Sequence, residues 1–146
     1  EVEAALRTYQ RLFQEEEQQV RRQQLLAVAA RLMSATQRFN PYLTGAVLDG
    51  TAGRYAEIDI QLFADSAKDV EIFLLNEKID FRHSTPRTDR AEAVLTLFDG
   101  DATVNLVIYP RDEERVSFRA RDGRLRERAR LEAVRSLLAE VLADSG

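Results

Sequence analysis

Between Glu57 and Ala64 the chain reads EIDIQLFA, an unbroken alternation with Ile58, Ile60 and Leu62 on one side and Glu57, Asp59 and Gln61 on the other. A period of two marks a strand with one buried and one polar face. A strand of that kind belongs in a sheet that helices cover on one side only, and this restricts the fold more than any other feature. The flanks agree. Gly45, Gly50 and Gly53 make the preceding stretch rich in turns. Asp65 or Ser66 stands where it caps a helix running to about Lys78, with Val70, Phe73, Leu74 and Leu75 as its apolar stripe.

Upstream, Val2 to Gln37 holds neither glycine nor proline and is dense in Ala, Leu, Gln, Glu and Arg, which predicts helix. Leu25, Leu26, Val28, Ala29, Leu32 and Met33 recur at helical spacing, whereas Gln14 to Gln24 is almost wholly polar. At ~1.5 Å per residue such a helix outreaches a small domain. Either it breaks near Glu15, or its front half packs through Val2, Leu6, Tyr9 and Phe13, on a partner or within the same domain. Asn40-Pro41 ends it, and Tyr42 to Val47 is a short apolar piece.

Downstream, Phe81 to Ser84 reads as a short strand. Ala91 to Phe98 and Ala102 to Tyr109 are apolar strands whose Asp99-Gly100-Asp101 link signals a hairpin. A further strand is expected at Val116 to Ala120, a turn at Asp122-Gly123, and a closing helix from about Leu125 to Ala143. The fold class is therefore α+β, a mixed sheet with helices packed on one side. Residues 1–38 form an N-terminal helical segment and residues 39–146 the α/β domain, together one compact unit.

At 146 residues the chain is one domain's length, enough to bury roughly 68–70% of the unfolded surface. It contains no cysteine, which excludes disulfides, thiolate metal sites and a cysteine nucleophile, and fits a reducing, cytoplasmic setting. No apolar run approaches the ~20 residues that span a bilayer, so no membrane is expected. The net charge of −4 argues against non-specific nucleic-acid binding. From Arg111 to Arg130 eight arginines face five acids, read as a solvated face ahead of a phosphate-binding surface. The chain opens on Glu1 without a methionine or a signal-peptide pattern; a longer parent protein is expected, and a targeting segment ahead of Glu1 stays open.

Glu57 and Asp59, as alternate residues, point the same way ~7 Å apart, a spacing at which carboxylates can share divalent cations. An isolated pair of this kind is more often an ordinary solvent face. Here it follows a glycine turn. The run from Leu43 to Phe63, LTGAVLDGTAGRYAEIDIQLF, resembles the signature of minimal nucleotidyltransferases of the DNA polymerase β superfamily: Gly-Ser, a second Gly-Thr, then Asp-x-Asp on a strand. Gly45, Gly50, Thr51, Ile58, Asp59 and Ile60 fall in register with it.

The resemblance implies attack of a hydroxyl on the α-phosphate of an NTP, with magnesium ions held by three carboxylates. It assigns nucleotide binding to Gly45, Ala46, Gly50 and Thr51, metal binding to Glu57 and Asp59, and catalysis to Glu57, Asp59 and Asn105. It also marks departures. Ala46 stands for the serine and Glu57 for the first aspartate. Asn105, within Val104 to Val107, stands for the third carboxylate, and Asp49 lies where a basic residue is common. Asparagine is neutral and can neither take a proton nor offset a second ion's charge.

His83 is expected at a surface or strand end, and Arg54, Arg82 and Arg87 as solvated arginines with a minority role towards phosphate. Three functions follow: a magnesium-dependent transferase using an NTP; a degenerate binding or regulatory module acting through the N-terminal helix as a dimer or hetero-complex; and an unrelated α+β domain with a coincidental glycine turn.

Overall fold

A computed structural model describes residues 2–51, 53, 55–116 and 127–145, with side chains from 16 to 143. In chain order it contains α1 (Val2–Ala35), β1 (Tyr42–Thr44), α2 (Ala46–Asp49), β2 (Ile58–Ala64), α3 (Ala67–Asn76), β3 (Arg82–Ser84), β4 (Ala93–Asp99), β5 (Ala102–Pro110) and α4 (Leu131–Ser145). The sheet runs β1-β2-β5-β4-β3, with β2 and β5 parallel and the other neighbours antiparallel. A parallel pair needs a long crossover, and here it comprises α3, β3 and β4. The protein is an α+β domain with a five-stranded mixed sheet.

The alternation of β2 builds the core. Ile58, Ile60 and Leu62 join Val104, Leu106 and Ile108 of β5 and Leu95 and Leu97 of β4 on one face. Leu25, Leu26, Ala29 and Met33 of α1, Val70, Phe73 and Leu74 of α3, and Leu131 and Val134 of α4 cover that face. Ser66 caps α3, accepting from the Lys68 N–H through its side chain. Leu75, expected in the α3 stripe, is exposed.

α1 is continuous and does not break near Glu15; the side chains of Val2, Leu6, Tyr9 and Phe13 lie outside those described. Arginines fasten its second half to the domain. Arg21 pairs with Asp101 at 2.9 Å and Arg31 with Asp99, so the acids of the hairpin turn anchor α1. Arg22 donates to the carbonyls of Val47 at 3.2 Å and Leu48 at 2.9 Å, closing the end of α2.

The closing helix begins later than its apolar pattern implies. Ala129 is extended and exchanges two hydrogen bonds with Leu43, at 2.8 and 2.9 Å, along the free edge of β1. This bridge satisfies an edge that would otherwise stay open, and α4 starts only at Leu131. Val116 is not in a strand; the rest of the expected strand to Ala120 and the Asp122-Gly123 turn lie outside the described residues. Among those described, no helix is long and apolar enough to cross a membrane.

Candidate functional site

All three long helices cover one face, so the side chains of Asp59, Gln61 and Phe63 emerge on the other. Register places Asp59 opposite Asn105, and Asn105 opposite Thr96. The Asn105 amide donates from Nδ2 to Asp59 Oδ1 at 3.0 Å, and the Thr96 hydroxyl donates to Asn105 Oδ1 at 2.9 Å. Ser84 and Thr96 hydroxyls lie 2.6 Å apart. With the Thr96 proton committed to Asn105, Ser84 is the donor of that pair. One directed row of hydrogen bonds thus crosses β3, β4, β5 and β2 and ends on a carboxylate.

A cleft of about 310 Å³ opens over this row. Thr44, Glu57, Asp59, Gln61, Asn105, Val107 and Tyr109 line it with Ser84 and Val94, and Thr85, Arg87 and Thr88 close it from the segment after β3. Glu57, Asp59 and Asn105 therefore share one cleft. Glu57 sits just ahead of β2 and is exposed; Asp59 is half-buried. Gln61 departs from the reading of a solvent-facing polar edge. It is buried, at 6% exposure, on the floor of the cleft, where β2 runs between β1 and β5 with Tyr42 and Val107 as its register neighbours.

The glycine turn abuts Asp59. Gly45 has φ 81° and ψ −159°, and a Cβ there would meet Asp59 Oδ2 at 3.1 Å. The rest of the turn is braced from within. The N–H groups of Gly50 and Thr51 both donate to the Ala46 carbonyl at 3.1 Å. Asp49 accepts from the Thr51 N–H at 2.9 Å and from its hydroxyl at 2.6 Å. Asp49 is thus a turn residue, and two backbone donors assigned to a nucleotide are engaged inside the loop. Among the described residues, nothing accepts from the N–H groups of Ala46 and Val47.

No group of three His, Cys, Asp or Glu side chains able to hold a metal occurs among the described residues. Asn105 turns its N–H groups, not its oxygen, towards Asp59. The donor set of Glu57 and Asp59 suits one divalent ion that also takes waters or ligand phosphates; it does not suit the pair of ions that the resemblance implies.

Of the other candidates, His83 is exposed and pairs with Glu71 away from the cleft. Arg82 lies over the Phe98 ring, 5.0 Å from its centroid. Arg87 lines the cleft, and Arg54 falls outside the described residues. Sequence reading passed over Thr96, Ser84 and the burial of Gln61. The available signal was Thr96, a lone polar residue inside the apolar run Ala93–Asp99.

An aromatic cluster closes the far end of the open face. Phe63 stacks on Tyr109 and meets Tyr42 edge-on, and the Arg128 guanidinium sits 4.2 Å from the Tyr42 ring centroid. Glu114 accepts from Asn40 at 2.9 Å, from the Tyr42 hydroxyl at 2.8 Å and from Arg130 at 2.9 Å. Burial opposes the Glu114 charge, but the hydrogen bonds from Tyr42, Asn40 and Arg130 outweigh it and hold the carboxyl below its ordinary value of 4.5.

A depressed folded-state pKa favours the fold above the unfolded value, and the gain disappears as pH falls through the folded one. Glu114→Gln should therefore cost about 1–2 kcal/mol near neutrality, with the gap to wild type shrinking below about pH 4.5. Urea unfolding at stepped pH reads this; a gap that persists unchanged at pH 3 refutes it.

No family model and no curated protein matches the chain. Among solved structures it is similar to a cytoplasmic RNA terminal U-transferase, with 14% identity and a TM-score of 0.42 over 56% of this chain. The chain spans 27% of that protein's length.

Proposed function

We propose that the chain is a nucleotidyltransferase-like domain that binds a nucleoside triphosphate in the open-face cleft, with the transfer reaction weak or lost. The hydrogen bond from Asn105 to Asp59 carries this reading. A neutral donor fills the place that the resemblance reserves for a third carboxylate. It cannot act as a base, and it adds no charge for a second ion. Glu57 and Asp59 would hold one magnesium ion, which would neutralise triphosphate charge. Asn105 keeps Asp59 oriented, Gly45 leaves room beside it, and Arg87 contributes a cation to the cleft wall.

Calorimetric titration with each NTP, with and without magnesium or manganese, tests the proposal. Binding should require the divalent ion, weaken at least about tenfold in Asp59→Asn, a loss of ~1.4 kcal/mol, and release at most traces of pyrophosphate. Rapid pyrophosphate release that Asp59→Asn abolishes would restore the transferase reading. Absence of binding to any NTP would remove the nucleotide altogether.

A second reading, a module acting through α1, has one observation in its favour. Hydrogen bonds and ion pairs from α1 to the body begin at Arg21 among the described side chains, while Glu16, Glu17, Gln18 and Val20 are exposed. At ~1.5 Å per residue the helix is long enough to project. Light scattering should report a dimer that becomes monomeric when residues before Glu16 are removed. An unchanged mass would count against it. A cut at Gln24 would be uninformative, because it also removes the Arg21 and Arg22 anchors.

A further inference from the structure

Among the described residues of the cleft, Gln61 is the polar one that is more than nine-tenths buried and carries an unanswered group. It is 6% exposed, and its Oε1 has no hydrogen-bond partner among the described residues. A buried acceptor without a donor is unfavourable, and one that a native protein retains is answered by a water or by a ligand. Its surroundings say which. Gln61 lies ~7 Å beyond Asp59 on the same face of β2 and pairs in register with Val107. Val94 and Tyr109 line the same part of the cleft. Charged carboxylates therefore stand at one end and a lone amide between apolar and aromatic walls at the other.

A nucleotide has the same succession: phosphates, then a flat ring with apolar faces and a polar edge. At about 310 Å³, the cleft is at the small end of ligand sites, suited to one nucleotide rather than a chain of them. We infer that Gln61 is the base-reading residue of the cleft, its carboxamide pairing with the hydrogen-bonding edge of a nucleobase. An amide offers an acceptor beside a donor; the Watson–Crick edges of adenine and cytosine present a donor then an acceptor and those of guanine and uracil the reverse, so a carboxamide held in one orientation separates the two sets. This rests on the proposed nucleotide-binding reading, and adds where the base lies and what distinguishes one base from another.

Gln61→Leu tests it, since leucine is similar in size and has no polar atom to leave unanswered. Without ligand the variant should melt at least as high as wild type, by up to about 2–4 °C if a buried acceptor is relieved. Titrated with ATP, CTP, GTP and UTP in manganese, it should bind the preferred nucleotide about tenfold more weakly, equivalent to ~1.4 kcal/mol. The spread among the four should narrow. A lowered melting temperature or failure to fold would make Gln61 a structural residue and overturn the inference. So would unchanged affinities in Gln61→Leu alongside loss of binding in Asp59→Asn, which would leave the nucleotide reading intact. If wild type binds none of the four, both fall together.

Discussion

Asn105→Asp is expected to unfold at a lower temperature than wild type in chelator, and to recover in manganese. The amide nitrogen it replaces lies 3.0 Å from Asp59 Oδ1. An oxygen there turns an attractive contact into one between two carboxylates. At an effective dielectric of about 20, like charges at that distance repel by roughly 5 kcal/mol. Proton uptake or a small rotation relieves part of this, leaving a net loss of about 2–3 kcal/mol, or ~5–10 °C for a chain of this size.

The Thr96 hydroxyl can still donate to the other oxygen, so the new carboxylate stays oriented. With Glu57 and Asp59 it makes the three-acid set that is absent among the described residues. Millimolar manganese should then return the melting temperature to the wild-type value or beyond, while wild type responds little. Thermal melts in EDTA and in manganese chloride read both effects. Equal melting of the two proteins in EDTA would mean that the Asn105–Asp59 contact does not hold the site in solution. Pyrophosphate release gained by the variant would identify Asn105 as the block to transfer.

Strong local periodicity made most of the sheet legible. The alternation of β2 and the Asp-Gly hairpin between β4 and β5 each follow from a few neighbouring residues. Asn105 was singled out by its match to the family's hydrophobic-Asp-hydrophobic-hydrophobic run, and its place opposite Asp59 comes from the parallel pairing of β2 with β5, which no local pattern announces. What failed depends on contacts distant in sequence. Whether Gln61 meets water is decided by its neighbours on β1 and β5, not by its own strand.

The start of α4 was misplaced for the same reason. The 127–130 stretch has helix-compatible residues, but the open edge of β1 draws Ala129 into pairing with Leu43. Glycine content shows that a loop can approach an anion, not whether its N–H groups already have acceptors. Here the Ala46 carbonyl and Asp49 engage those of Gly50 and Thr51.

Gly45→Ala should be the most damaging small substitution in the turn. At φ 81° and ψ −159° the residue occupies a region open essentially to glycine alone, and a side chain there costs about 1–3 kcal/mol. The added methyl also meets Asp59 Oδ2 at 3.1 Å, and that carboxylate cannot swing away without giving up the bond from Asn105 at 3.0 Å. The combined loss is expected to reach about 2–4 kcal/mol, with nucleotide binding lost as Asp59 is displaced. Denaturant midpoints of Gly45→Ala, Asp59→Ala and the double variant separate the two causes. Removing the Asp59 carboxylate abolishes the clash but leaves the backbone strain. Gly45→Ala should therefore cost about 1 kcal/mol less in the Asp59→Ala background than in wild type. Strict additivity would mean that the turn and the carboxylate are not in contact.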